Sequence, residues 1–133
     1  VISGHVNAKL QSLVTITVRG QQNTEQTLVA RLDTGFNGGL TLPPDVVSSL
    51  GLTADFLNAI VLANGEQIDL ATYRALLVVD GVEHRIPVFA TGDFPLLGML
   101  PLVGFQISID MRPDGIVIIG KAVDSSPTEP HSC

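Results

Sequence analysis

Apolar residues recur at every second position along this chain in short runs, a pattern that restricts it to strands packed on a shared core. Leu13 to Val18 puts Val14, Ile16 and Val18 on one face and Thr15 and Thr17 on the other. Gly20 to Asn23 is a polar turn, Gln26 to Leu32 the returning strand, and Leu40-Thr41-Leu42 a further extended segment. Asn64-Gly65, between Ile60-Val61-Leu62 and Ile68 to Leu70, carries a type I′ hairpin signal. Asp80-Gly81, between Leu76 to Val79 and Arg85 to Phe89, carries the same one. Pro87 predicts that this last strand lies at an edge or joins the sheet irregularly. Gln106 to Asp110 and Ile116 to Ile119 are strands joined through Met111 to Gly115. Helical signals are brief. Pro43-Pro44-Asp45 opens a short helix with Val46, Val47 and Leu50 as its apolar face and Gly51 as its stop. Leu96-Leu97-Gly98 leads into one or two helical turns over Met99 to Phe105. The expectation is a mainly β domain, a compact barrel or sandwich over residues 1–121, followed by a flexible polar tail over 122–133.

Composition narrows the function classes. At 133 residues, 45% of them hydrophobic and 15% charged, the chain fits one folded domain and not a disordered one. A net charge of −6 disfavours nucleic acid and anionic membrane as partners, since both are held by clustered Lys and Arg. No apolar run approaches the ~20 residues of a membrane span, so no membrane contact is expected of this segment. The lone cysteine, Cys133, excludes an intrachain disulfide and disfavours a Cys-based zinc site. A reducing, cytoplasmic setting is favoured for this segment, although a start at Val1 suggests that upstream residues are missing.

Catalytic templates fall away in turn. Gly115 to Lys121 has the spacing of a phosphate-cradling loop, but Ala122 stands where a metal-binding hydroxyl is needed, and Ile116 to Ile119 reads as a buried strand. His5, His84 and His131 are scattered without metal-ligand spacing, so neither metal nor cofactor is expected. No nucleophile elbow exists for serine chemistry. What remains is Asp33-Thr34-Gly35, at the end of an apolar strand and the start of the densest glycine cluster, which runs to Gly39. A carboxylate there can accept backbone N–H bonds and face a cleft, although Asp-Thr-Gly in isolation is also a common turn.

The context of that tripeptide resembles the retropepsin-like aspartic proteases. Ser12 to Ile16, a hairpin, and Val29 to Gly35 match the N-terminal part of that family's pattern. A flap-like hairpin at Asn64-Gly65, two more strands and Pro95-Leu96-Leu97-Gly98 then follow in the family's order, so that the likeness covers about residues 10 to 120. Phe36, Gly38 and Leu40-Thr41-Leu42-Pro43 look most like bacterial single-domain members. The resemblance implies an acid-protease barrel, one lobe per chain, with one or two short helices. It implies Asp33 as catalytic carboxylate, Thr34 as the hydroxyl locking paired loops together, and Gly35 as a close backbone approach to substrate. Ala63, Asn64 and Gly65 would form a lid over an extended peptide, with Phe36, Asn37 and Leu97 near the substrate. Three positions depart from the viral pattern: Phe36 replaces a small residue, Asn37 a second Asp, and Met99 an Arg that ties the loop down. The loop must therefore be braced differently.

Aspartic-protease chemistry needs two carboxylates about 3 Å apart sharing one proton. Asp45, Asp55, Asp69, Asp80, Asp93, Asp110, Asp114 and Asp124 all lack a following Thr-Gly or Ser-Gly, so one copy supplies half of the dyad. The chemistry thus calls for a homodimer acting on an extended peptide or protein, with the Gln106–Asp110 and Ile116–Ile119 strands as its interface sheet. Two other readings stay open: a retropepsin-like peptide-binding or assembly domain without activity, and an unrelated small barrel in which Asp-Thr-Gly is only a turn.

Overall fold

A computed structural model describes residues 1–61 and 63–122, and the side chains of all of these except 56–60 and 68–70. The elements in chain order are β1 (Ile2–Val6), β2 (Ser12–Arg19), β3 (Glu25–Leu32), β4 (Leu40–Leu42), α1 (Pro44–Ser49), β5 (Thr53–Val61), β6 (Gln67–Val79), β7 (Val82–Ala90), β8 (Leu96–Leu97), a 3-10 turn (Leu100–Leu102), β9 (Phe105–Ile109) and β10 (Ile116–Lys121). The period-two pattern becomes burial directly. Along β2, Val14, Ile16 and Val18 are buried while Thr15 is exposed.

The strands order as β5-β6-β7-β4-β8-β3-β2-β1-β10-β9, and a further pairing of β6 with β2 closes the middle of that series. Thr17, Val18 and Arg19 lie opposite Val78, Leu77 and Leu76, so β2, β3, β8, β4, β7 and β6 form a closed six-stranded barrel. Closure removes the open edges that these strands would otherwise expose. The length of β6, 13 residues, permits it: one part pairs with β5 while another bridges β7 and β2. Ile16, Leu40, Leu42, Leu77, Val88 and Leu97 fill the barrel with at most 1% of their surface exposed. Each such side chain contributes about 1.5–3 kcal/mol of hydrophobic stabilisation. Outside the barrel β1, β10 and β9 extend the sheet beyond β2, and Ile2, Val6, Val117 and Ile119 continue the core beneath them.

The helix α1 behaves as its residues dictate. Pro44 occupies the first turn, where no N–H is required, and Val47 and the following Leu50 are buried. Gly51 takes φ +63°, and the N–H groups of Gly51 and Leu52 return to the carbonyls of Ser48 and Val47. This paired bonding ends the helix by satisfying its last carbonyls. The Asp80-Gly81 turn also forms as expected, with both residues at positive φ between the paired Val79 and Val82.

Four sequence expectations change. The Asn64-Gly65 hairpin is not a two-residue I′ turn, because its ladder closes at Val61 and Gln67, and Gly65 but not Asn64 has positive φ. The Asn64 side chain instead accepts the Glu66 N–H at 2.9 Å, which rounds a longer connection. Met99 to Phe105 yields only the 3-10 turn at Leu100–Leu102, and β9 already starts at Phe105. Pro101 has no N–H to extend a helix, and Gly104 at φ +90° turns the chain out. Pro87 is not on an edge strand. It sits one residue before β7 acquires β4 as its second neighbour, so the missing donor falls where β7 pairs with β6 alone. Finally, β1 has no counterpart in the sequence reading, since its inward positions Ile2, Gly4 and Val6 carry a glycine that hides the alternation. The Cβ that Gly4 lacks would lie 1.7 Å from the Leu13 carbonyl oxygen. The tail expected from residue 122 onward lies outside the described residues except for Ala122, as does Leu62 in the hairpin.

Replacing Gly51 by Ala lowers the unfolding free energy by about 1 kcal/mol, and replacing it by Asn lowers it less, because Asn tolerates left-handed backbone. Urea denaturation measures both.

Candidate active site

The site begins where β3 runs out. Leu32 turns into the core, 8% exposed, so the neighbouring Arg31 and Asp33 fall on the opposite side. Beside β3 lies β8, parallel to it, with Leu96 and Leu97 opposite Arg31 and Leu32. The Asp33 N–H donates to the Leu97 carbonyl at 3.0 Å and the Arg31 N–H to that of Pro95 at 2.9 Å. These bonds fix the backbone on which the carboxylate stands. The half-buried Asp33 side chain accepts the Gly35 N–H on Oδ1 at 3.0 Å, while Oδ2 has no hydrogen bond among the described residues.

The loop after Asp33 folds back on the segment after β8. Gly98, Met99 and Leu100 donate their N–H groups to the carbonyls of Gly39, Phe36 and Gly38 at 2.8, 2.8 and 3.2 Å. The Phe36 N–H closes a turn onto the Asp33 carbonyl at 3.1 Å. This is the different brace that the missing Arg requires: Met99 acts through its backbone. Two glycines make it possible. A methyl group on Gly98 would lie 2.2 Å from the Gly38 carbonyl oxygen and 2.7 Å from Phe36 Cδ2, and one on Gly38 would lie 2.6 Å from Phe36 Cε1. The Phe36 ring is therefore wedged between the two glycines.

Several expected contributors stand elsewhere. Leu97 is fully buried, so its side chain is a core residue and its part in the site is the carbonyl that takes the Asp33 N–H. This corrects the expectation that its side chain flanks the substrate: a strand with β3 on one side and β4 on the other turns Leu97 inward. Thr34, Gly35 and Asn37 are exposed, and the Thr34 hydroxyl has no hydrogen bond among the described residues. Ala63, Asn64 and Gly65 are exposed at the tip of the β5–β6 hairpin. Around Asp33 and Thr34 opens a groove of about 400 Å³, walled by Leu10, Arg31, Ile109 and Met111 among others. Neither Phe36 nor the hairpin tip lines it. Arg31, Leu10 and Met111 were not picked out from the sequence. Arg31 was within reach, since side chains at i and i+2 of a strand share a face.

A second cavity of about 370 Å³, between β2, β5 and β6, holds Arg19, Arg74 and Arg85. Its charges are largely paired internally. Arg19 joins Glu25 and Glu83 at 2.7 and 2.5 Å, bonds that raise the pKa of its guanidinium, Glu25 first. Asp55 is held by Arg74 through two contacts of 2.9 and 3.1 Å. Its one carboxylate is thus committed, whereas the groove at Asp33 presents a carboxylate with an open oxygen.

Gly98→Ala costs about 2–3 kcal/mol of stability, since backbone and a wedged ring both resist the added methyl. Gly35→Ala costs under about 1 kcal/mol, its nearest neighbour being Asp33 Oδ1 at 3.5 Å. Chemical denaturation of the two variants separates them.

No family model and no curated protein matches this sequence. Solved structures do. The crystal structure of a retropepsin-like aspartic protease from Rickettsia conorii aligns over 91% of this chain and 91% of its own, at 20% identity and a TM-score of 0.55. The solution structure of Simian Foamy Virus (mac) protease aligns over 67% of this chain and 91% of its own, at 17% identity and a TM-score of 0.49. The Rickettsia likeness, spanning nearly the whole of both chains, establishes that this chain has the retropepsin-like fold, a mainly β lobe built around a closed barrel.

Proposed function

We propose that the protein is a homodimeric aspartic endopeptidase in which Asp33 of each copy supplies one carboxylate of a shared dyad. One observation carries this reading. Asp33 is anchored through its backbone and Oδ1 at the end of β3, Oδ2 has no hydrogen bond among the described residues, and the residue lines a groove on a fold shared with an aspartic protease. Two such carboxylates brought to about 3 Å share one proton, because like charges that close do not both ionise. The ionised member takes a proton from water as the oxygen attacks the peptide carbonyl, and the protonated member donates to the carbonyl oxygen. Collapse of the resulting diol with protonation of the amide nitrogen breaks the C–N bond. The roles of the neighbours follow. The Thr34 hydroxyl, with no hydrogen bond among the described residues, locks the paired loops, and exposed Gly35 lets substrate backbone approach. The Ala63-Asn64-Gly65 tip closes over the peptide as a lid.

The second copy docks along β9. This strand ends the sheet order, so among the described residues one of its edges has no strand partner, the form of surface on which a like strand adds. Ile109 at its end and the following Met111, 56% exposed, also wall the Asp33 groove, and Leu10 opposite is 54% exposed. An interface along that edge brings the two grooves, and with them the two carboxylates, toward a common axis, while the apolar groove walls stay open to substrate. Residues 1–121 are the catalytic unit.

Sedimentation combined with peptide-library cleavage at about pH 4 to 6 tests the proposal. A dimer is expected, with cleavage that Asp33→Asn reduces by at least about 1,000-fold. Cleavage that survives Asp33→Asn overturns the mechanism.

A further inference from the structure

The groove at Asp33 contains one feature that the proposed chemistry does not use. Its wall holds two charged side chains, Asp33 itself and Arg31. Arg31 sits two residues earlier on the same side of β3, opposite Leu13 of β2 and Leu96 of β8. It is half-buried, and no carboxylate among the described residues pairs with it. Arg19, Arg74 and Arg112, by contrast, each have a carboxylate within 3.1 Å, and Arg85, which has none among the described residues, is exposed. A guanidinium without a carboxylate partner, lining the same groove as the reacting group, has its donors available to a ligand carboxylate. The rest of the wall suits such a ligand. Leu10, Ile109 and Met111 offer apolar surface to a methylene stem, and the guanidinium fork meets a planar carboxylate through two parallel N–H···O bonds. The chain carries −6 overall, so attraction of an acidic side chain must arise locally and not from long-range steering.

We propose that Arg31 is a specificity-determining residue that selects substrates with an acidic side chain, Glu in particular, in the groove beside the scissile bond. This rests on the endopeptidase reading and refines its substrate class.

The test uses pairs of peptides differing only in Glu or Gln at each position flanking the cleavage site, at about pH 6, where a free Glu is ionised. At one position the Glu peptide is expected to give about tenfold higher kcat/KM. Arg31→Gln erases that ratio, while Arg31→Lys retains part of it and Arg31→Glu turns the preference toward Lys. A ratio of one at every position in the unmodified dimer, or a ratio that persists in Arg31→Gln, overturns the assignment. If the unmodified protein cleaves no peptide, the endopeptidase proposal fails by itself, and binding to Asp33→Asn then decides the role of Arg31. About tenfold tighter binding of a Glu peptide, lost when Arg31→Gln is added, supports the recognition role; equal binding of the Glu and Gln peptides refutes it.

Discussion

The site depends on the insertion of the two-residue strand β8 between β3 and β4. On one side Leu97 accepts the Asp33 N–H, and on the other the N–H groups after β8 bind the returning loop at Phe36, Gly38 and Gly39. A carboxylate-bearing loop rich in glycine would otherwise lose much conformational entropy on ordering, and backbone bonds made from both flanks of β8 offset that loss. The barrel in turn holds β8. Leu97 is fully buried, and β4 is clamped between β8 and β7 with all three of its residues buried. Core packing, loop geometry and carboxylate presentation are therefore one cooperative unit.

Glycine is the material of this unit, for two distinct reasons. At Gly51 it supplies a backbone conformation that ends a helix. At Gly38 and Gly98 it supplies absence: the space that a Cβ would fill is taken by the Phe36 ring and a carbonyl oxygen. Phe36 thus fills a gap in the brace and leaves the groove to Arg31, Asp33 and the apolar residues of the β1–β2 turn and the end of β9. The packed core of the brace, Phe36, Gly38 and Gly98, thus stands apart from the groove wall.

Much of this was legible in the residues. Alternation along Leu13–Val18, the Asp80-Gly81 turn and the Pro44-to-Gly51 helix are local signals, and tertiary packing agreed with each of them. Asp33-Thr34-Gly35 stood out at the end of an apolar strand and the start of the densest glycine cluster, and Leu96-Leu97-Gly98 through the resemblance to retropepsin-like proteases. Failures arose where partners distant in sequence decide. Gly4 masks the alternation of β1, and only the Leu13 carbonyl explains why a side chain is excluded there. Leu97 looked like a cleft residue because it adjoins the motif, yet having β3 and β4 on its two sides turns it inward.

The sequence by itself determined that the chain is a mainly β domain, that Asp33 opens its most distinctive loop, and that one copy holds a single Asp-Thr-Gly. These follow from periodicity and counting, which need no long-range pairing. Only the tertiary structure decided that β6 closes the barrel onto β2, that β9 is left at the end of the sheet, and that Leu10 and Met111 wall the groove at Asp33. Those outcomes depend on which strands meet across distances such as Thr17 to Val78, and loop closure over such separations is settled by the total packing of the core, which no local run of residues encodes.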